Sequence, residues 1–260
     1  MDLYDDFDYL CNEPFYIPNI GTIKNPTLRD VRKLTHKLFD VYVNICSISL
    51  FDYLEQTGLK EKYELLSTEE KEKNNLFNLL LLGNANLIFG LINFFIEDKV
   101  SFNENDMSFH IYEDFSDENN PREIGIITSD NFDIFRNEIL KILGLKQIET
   151  KKPKYKTERA RKLAEKIAKA KSQIQKSSKQ DENMSFDNLI KKYCTHNKVG
   201  INILNVWDMT FYQFNTMFME YNIGRQMDFN DAMASNTFSY KDSSDYKPML
   251  WMEKLNNNAN

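Results

Sequence analysis

Few side chains in this sequence are of a type and at a spacing that would support catalysis or metal binding. The histidines are His36, His110 and His196, and the cysteines are Cys11, Cys46 and Cys194. Cys194 and His196 could supply two metal ligands, but no second pair lies near them in the sequence, and a structural zinc site needs four ligands. The other two histidines fall in a predicted helix and a predicted strand, which favours structural or surface roles. We therefore predict no metal site and no cofactor.

Motifs for nucleophilic catalysis and for phosphate binding are missing from the sequence. The eight glycines form neither a GxGxxG nor a GxxxxGK[ST] pattern, so no phosphate-binding loop is predicted. Ser, His and Asp residues occur in no nucleophile-elbow pattern. Two acidic clusters, Asp5–Asp8 and Glu113–Glu118, fall in predicted loops, whereas a carboxylate pair for acid–base chemistry needs burial. The sequence predicts a protein that is not an enzyme, with an enzyme of unrecognised type as the alternative.

The charge of the 260 residues is unevenly distributed. The formal net charge is −6, yet residues 151–180 contain twelve Lys or Arg against two Glu. We call residues 151–180 the basic segment. The chain on either side of it is therefore strongly acidic. An acidic surface repels phosphate, which argues against a general nucleic-acid-binding protein.

The basic segment is predicted to be a helical linker over 151–182. Its Ala, Lys, Arg, Glu and Gln residues lose little entropy in a helix, and its apolar residues are too sparse to be buried against a core. Two alternatives are an arm that binds nucleic acid and a helix that docks on an acidic partner or on the chain's own acidic parts. A single aromatic, Tyr155, disfavours stacking on bases. The basic side chains that such an interface would use are Lys154, Arg159, Arg161, Lys162, Lys166 and Lys169.

Residues 1–150 are predicted to form a helical domain with one β-hairpin. Thr27 with Asp30, and Ser67 with Glu70, have the spacing of a capping box at a helix start. Apolar residues at helical intervals follow each of them. The predicted helices cover 28–47, 49–56, 68–82, 86–97 and a segment that ends at Gly144. Alternating apolar residues predict the two strands of the hairpin within about 107–127, at 107–112 and 123–127.

Residues 75–96 are uncharged and long enough to span a bilayer. Asparagines interrupt this stretch, and Gly83–Asn86 is typical of a break between two helices. We therefore predict a buried helical pair and no membrane span. An acidic N-terminus and the absence of a CxxC pair favour an intracellular, reducing location.

Residues 183–260 are predicted to form a small helical interaction domain. Its helices are expected at 186–194 and from 211 to about 234, with large apolar residues on one side of the second helix. The many aromatic and Met residues predict either a compact helical core or a groove for a partner helix. The predicted fold class is mainly α with a small β-hairpin in the N-terminal domain, an α+β arrangement.

Three parts of the sequence resemble, in the same order, the tail assembly chaperones of phages that infect low-GC Gram-positive bacteria. They are the helix start Asn25–Asp30, the basic segment, and Val206–Phe214, which holds the motif Trp-Asp-x-x-x-Tyr-x-Phe. The pair Trp251–Met252 follows near the end. The resemblance covers the layout of most of the chain. Such chaperones are encoded just before the tape-measure protein.

The resemblance implies a division of labour between the two ends of the chain. The N-terminal domain would form oligomers that coat the tape-measure protein, and the C-terminal part would recruit the tail tube subunit in the cytoplasm of the host bacterium. The family supplies no catalytic residues. Large aromatics are common interface anchors, so the predicted partner-binding residues are Trp207, Tyr212, Phe214 and Trp251. In the alternative interpretation, Trp207 and Phe214 are core residues of the small domain.

Two other functions compete with assembly by a chaperone. One is a structural component of the virion, such as a baseplate or tail-completion protein, which would stay in purified particles. The other is a nucleic-acid-associated protein that uses the basic segment, whose binding would weaken steeply with salt.

Overall fold

The computed structural model describes residues 4–113, 122–145, 183 and 185–235. These residues divide into two compact units. The first unit contains the described part of Met1–Asp181 together with Trp207–Tyr212. The second unit contains the described part of Glu182–Val206 and of Gln213–Asn260. The predicted fold class is confirmed, since the chain is mostly helical with small antiparallel sheets in its N-terminal region.

The first unit begins with a short 3-10 helix, Asp8–Leu10, and a small antiparallel hairpin. Its strands are β1 (Phe15–Ile17) and β2 (Gly21–Ile23). The sequence analysis did not predict this hairpin. Its inward side chains are buried and belong to the main core of the unit.

A capping box starts the first helix, as predicted, but the helix is shorter than predicted. The Thr27 hydroxyl accepts a hydrogen bond from the Asp30 amide, and the Asp30 carboxylate accepts one from the Thr27 amide. Helix α1 then covers Leu28–Leu34, and helix α2 covers His36–Ser47. The single helix predicted over 28–47 is therefore wrong. Thr35 has a φ of 81°, a conformation incompatible with a continuous helix, so the chain turns there.

Three short helices follow: α3 (Leu50–Thr57), α4 (Lys60–Glu64) and α5 (Thr68–Lys73). Gly58 ends α3 in the left-handed conformation that favours glycine. The predicted capping box of Ser67 and Glu70 is present at the start of α5. The helix predicted over 68–82 is interrupted at Asn74, and the Asn75 side chain caps a new helix by accepting from the Asn78 amide.

That new helix, α6 (Leu76–Phe95), is kinked where the sequence predicted a break. Asn84 has non-helical angles, φ −163° and ψ 87°, and its side chain accepts a hydrogen bond from the Leu87 amide, which starts the second half. Among the described residues, α6 is long enough and apolar enough to cross a membrane. The core helix of a soluble protein can meet the same two criteria. Both halves contribute buried side chains to the core, namely Leu76, Phe77, Leu80, Leu81, Ile88, Leu91, Ile92 and Phe95.

A three-stranded antiparallel sheet follows α6. Its strands are β3 (Lys99–Asn103), β4 (Ser108–Tyr112) and β5 (Glu123–Ile127), in that order. The predicted hairpin corresponds to β4 and β5, and β3 adds a strand that was not predicted. Gly125 permits the close approach of the first hairpin, because a Cβ atom there would lie 2.8 Å from the Ile20 carbonyl carbon.

Helix α7 (Phe132–Ile142) closes the core of the first unit. Gly144 follows it with a φ of 67°, at the position predicted for the C-terminal cap. The Arg136 guanidinium is buried, and it donates to the carbonyls of Ile45 and Ile48 at 3.1 and 2.8 Å and to the Asp133 carboxylate at 2.7 Å. Arg136 thus ties α7 to the end of α2.

The second unit is built on helix α8 (Phe186–His196) and on helix α9 (Phe211–Ala234) from Gln213 onwards. A 3-10 turn at Val206–Asp208 precedes α9. Both helices were predicted. Tyr193 of α8 lies edge-on to Phe214, Phe218 and Tyr221 of α9, with ring centroids 5.8 to 6.4 Å apart. The Asn197 side chain organises the loop after α8 by bonding to the backbone of Tyr193, Val199 and Ile201.

Candidate protein-binding surfaces

The most distinctive local feature is the segment Trp207–Tyr212, which belongs to the first unit although it follows the basic segment in the sequence. We call it the docked segment. The Leu28 amide donates to the Met209 carbonyl, and the Phe211 amide donates to the Pro26 carbonyl, each at 2.9 Å. These bonds flank an antiparallel bridge between Thr27 and Thr210. The docked segment therefore pairs at Thr210 with the residue that precedes α1, through an isolated antiparallel bridge.

Side chains reinforce this backbone pairing. The Phe211 ring packs on Phe39, with centroids 5.1 Å apart, and the Tyr212 ring packs on Tyr9 at 5.7 Å. Gly144 leaves room for Tyr212, whose ring carbon would lie only 3.3 Å from a Cβ atom at that position. Thr210 is fully buried. These contacts remove apolar surface of the docked segment from water, which stabilises its position in the first unit.

An ion pair lies at one end of the docked segment. The Arg29 guanidinium donates to the Asp208 carboxylate at 2.6 Å, and the two side chains are 51% and 70% exposed. Exposed ion pairs contribute little to stability, on the order of 0–1 kcal/mol. The ion pair therefore helps to orient the segment rather than to hold it.

The predicted partner-binding residues do not lie together. Trp207 is half-buried and Tyr212 packs on Tyr9, both within the first unit. Phe214 is fully buried in the second unit, as the core interpretation expects. Trp251 lies outside the described residues, and so do the basic side chains Lys154, Arg159, Arg161, Lys162, Lys166 and Lys169. Contact of any of these residues with a partner stays a prediction.

A cavity of about 230 Å³ opens on the second unit. Its walls are mainly apolar and include Tyr193, Val199, Met217 and Tyr221, with Gly224 of α9 beside them. Small-molecule sites have volumes of roughly 300–1,000 Å³, whereas a cavity of about 150 Å³ holds one benzene molecule. The size suits one large apolar side chain of a partner better than a cofactor. An ion pair between Lys198 and Asp228, 3.0 Å apart, lies at the same site.

The second unit also has exposed apolar side chains. Val199, Leu204 and Phe229 are 61%, 83% and 64% exposed. Exposed apolar side chains that form a contiguous patch mark sites of protein interaction, which makes these three residues candidates for contact with a partner. Sequence reasoning predicted that this region would be rich in apolar residues. It could not locate the cavity, because the cavity walls come from α8, from α9 and from the loop that follows α8.

Polar side chains on and beside the three-stranded sheet lie close enough together to be compared with a catalytic triad. The Ser108 hydroxyl and His110 Nε2 are 3.0 Å apart, and His110 Nδ1 and the Glu123 carboxylate are also 3.0 Å apart. These distances resemble a Ser–His–acid triad. However, Ser108 is only 1% exposed, and its hydroxyl donates to Asp106 at 2.6 Å. A substrate could reach the hydroxyl only if the turn before β4 moved.

The charged groups of this polar cluster shift one another's pKa values. The hydrogen bond to Glu123 raises the pKa of His110, against the effect of desolvation, and Asp106 adds to the increase. The hydrogen bond from Ser108 lowers the pKa of Asp106. The His110 ring therefore links the turn before β4 to β5 through its contacts with Ser108, Asp106 and Glu123. The described residues contain no group of three or more His, Cys, Asp or Glu side chains that could hold a metal.

Residues 176–256 match the family model of the YomV second domain, a phage-derived family. The match covers roughly a third of the chain, and it includes the docked segment, α8, α9 and the cavity. It indicates a phage protein. No curated protein matches the sequence, and no solved structure matches it.

Proposed function

We propose that this chain is a non-enzymatic phage tail assembly factor that binds the tape-measure and tail tube proteins in the cytoplasm of the host bacterium. The observation that carries the proposal is the match of residues 176–256 to a phage-derived domain family. The resemblance of the sequence layout to tail assembly chaperones leads from a phage protein to this particular role.

The apolar cavity of the second unit is the proposed contact with a partner. Its volume of about 230 Å³ suits one large apolar side chain, and Val199, which lines it, is largely exposed. An anchor side chain that enters such a pocket commonly dominates the binding free energy of an interface. A chaperone that acts by equilibrium binding needs a reversible contact of this kind, which shields an apolar client until assembly proceeds.

Gly224 allows the cavity to be blocked without disturbing the fold. It lies within α9 and lines the cavity, and a Cβ atom there would have no heavy atom within 4 Å. Replacing a helical glycine by Ala or Leu also favours the helix. Gly224→Leu therefore fills the cavity, while Gly224→Ala is a matched control that adds a single methyl group.

The experiment is a pull-down with tagged full-length chain from phage-producing cells, followed by mass spectrometry. The unsubstituted chain and Gly224→Ala should recover a tape-measure or tail tube protein. Gly224→Leu should recover roughly tenfold less or lower still, because a lost anchor typically costs more than about 1.4 kcal/mol. Equal recovery by the two variants would mean that the partner binds elsewhere on the chain.

The identity of the recovered molecules tests the function itself. Recovery of baseplate proteins alone, with the chain retained in purified particles, would replace the proposal by a structural role in the virion. Recovery of nucleic acid that is lost at high salt would instead assign the function to the basic segment.

A further inference from the structure

Four polar side chains join the turn at residues 104–107, which precedes β4, to strand β5. We call Asp106, Ser108, His110 and Glu123 the clasp. The Ser108 hydroxyl donates to Asp106 Oδ1 at 2.6 Å and lies 3.0 Å from His110 Nε2, which is 3.5 Å from Asp106 Oδ2. On the other side of the ring, His110 Nδ1 lies 3.0 Å from a Glu123 carboxylate oxygen. The ring therefore stands between the turn and β5.

The charged form of the ring satisfies every member of the clasp. An imidazolium carries an N–H on both nitrogens, whereas an ionised carboxylate can only accept hydrogen bonds. The Nδ1–H then donates to Glu123, and the Nε2–H donates to the Ser108 oxygen. This arrangement leaves the Ser108 proton for Asp106, in agreement with the bond that the structure shows.

The neutral ring cannot satisfy both sides, because it carries a single N–H. Glu123 has no proton to offer, so its contact requires that this N–H is on Nδ1. Nε2 must then accept a hydrogen bond, and the donor within reach in the clasp is the Ser108 hydroxyl. A hydroxyl has one proton, so Ser108 can bond to Nε2 only by giving up its bond to Asp106.

The turn depends on the bond that would be lost. Met107 has a φ of 54°, in the left-handed region that residues other than Gly, Asn and Asp seldom adopt. Asp106 comes directly before it, and the hydrogen bond from the Ser108 side chain is the main cause of the lowered pKa of Asp106. The Ser108 amide makes a smaller contribution to that pKa. Without the hydroxyl's proton, Asp106 loses its main contact with β4.

We propose that the clasp makes the turn before β4 respond to pH: the turn is held while the His110 ring is charged, and it loosens when the ring is neutral. This inference goes beyond the proposed function and is independent of it, because it concerns contacts within the first unit alone.

The charges around the ring set the direction of the response. The charged groups near it are Asp106 of the turn, Glu123 of β5, Lys99 of β3, which is paired with Tyr112, and the ion pair of Arg122 with Glu113 at the strand ends. The hydrogen bond to Glu123 raises the pKa of His110 above 6.5, against desolvation, and Asp106 adds to the increase. The turn is therefore held at low pH and loosens as the pH rises through the folded-state pKa of His110.

The experiment is NMR spectroscopy of the full-length chain labelled with ¹³C and ¹⁵N, from about pH 5.5 to about pH 9. Long-range ¹H–¹⁵N spectra of the histidine rings give the pKa of His110 and the nitrogen that keeps the proton in the neutral ring. That nitrogen should be Nδ1. A neutral ring that is protonated on Nε2 would overturn the proposal, and so would a ring that stays in one state over this range.

Backbone ¹³Cα relaxation reports on the turn itself and does not depend on amide protons, which exchange rapidly at high pH. The order parameters of residues 104–107 should fall from about 0.85, the value of rigid backbone, to below about 0.6. The midpoint of this fall should equal the pKa of His110. A ring that titrates while the order parameters stay unchanged would overturn the proposal.

Matched variants separate the clasp from other titrating groups. His110→Gln should abolish the change in order parameters, whereas His36→Gln, which alters an exposed histidine paired with Asp40 on α2, should leave it intact. Ser108→Ala keeps the ring but removes the hydroxyl, so the turn should be loose at both ends of the pH range. A change as large as that of the unsubstituted chain in His110→Gln or in Ser108→Ala would overturn the proposal.

Discussion

The two units of this chain bury apolar side chains to very different extents. The core cluster of the first unit contains thirty buried residues, whereas the described part of the second unit buries Ile190, Tyr193, Val206 and Phe214. The second unit relies on a few aromatic contacts and leaves Leu204 and Phe229 largely exposed. The described part of the second unit therefore gains less stability from apolar burial than the first unit does.

Phe214→Ala should have the largest effect, a loss of stability in the second unit. Phe214 is fully buried, and deletion of a buried Phe side chain costs about 3–5 kcal/mol. Amide hydrogen exchange should show a loss of protection in α8 and in the part of α9 after residue 213. Strands β3 to β5 should keep their protection, and equal loss in both units would mean that they unfold together. Phe229→Ala is the exposed control and should change stability by less than about 0.5 kcal/mol.

Arg136→Leu should produce the next largest effect, this time in the first unit. The substitution removes the donors to the buried Ile45 and Ile48 carbonyls. Leaving buried acceptors unpaired costs about 1–3 kcal/mol. Urea unfolding, monitored by signals from residues of the first unit, should show this decrease in the free energy of unfolding. Lys141→Leu removes an ion pair with Glu138 on the same helix and serves as the control. A loss as large as that of Arg136→Leu would contradict the explanation.

Tyr193→Phe should stabilise the second unit. The Tyr193 hydroxyl is buried and has no hydrogen-bond partner among the described residues. Removing an unsatisfied buried hydroxyl while keeping the ring should increase the free energy of unfolding by about 1 kcal/mol. Thermal unfolding gives the measurement, with Tyr221→Phe as the control on α9. A lower melting temperature for Tyr193→Phe would show that the hydroxyl has a partner.

The pH dependence of stability should show the smallest effect, and it should come from the first unit. The pKa of His110 in the folded chain is raised above 6.5 by its hydrogen bond to Glu123. This contribution to stability is therefore fully present below pH 6.5 and is lost as the pH rises through the folded-state pKa. His110→Gln should reduce the difference in melting temperature between pH 5.5 and pH 8.5. An unchanged difference would assign the pH dependence to other groups.

Prediction from the sequence succeeded where a few neighbouring residues decide the structure. The capping boxes of Thr27 with Asp30 and of Ser67 with Glu70 are both present. The break in the apolar stretch lies at Asn84, within the predicted Gly83–Asn86. Prediction failed at Thr35, where a β-branched residue with a positive φ ends a helix in the middle of an uninterrupted apolar pattern.

The candidate binding surfaces were predicted in part. The aromatic residues of Val206–Phe214 were selected from the sequence, but Phe211 packs on Phe39 in the first unit while Phe214 packs on Tyr193 in the second. Helical spacing places these two side chains on one side of α9. Nothing in the neighbouring sequence indicates that they pack against residues of different units. The cavity beside Gly224 was not predicted, because its walls are distant in sequence.

The sequence by itself determined the fold class, most helix ends and the contrast between an acidic chain and its basic segment, since these depend on composition and on residues within about four positions of one another. Only the tertiary structure decided that Trp207–Tyr212 completes the first unit. That contact joins Thr27 to Thr210 and Arg29 to Asp208 across most of the chain. Its free energy comes from burial and pairing between distant residues, which leave no periodic pattern in the sequence.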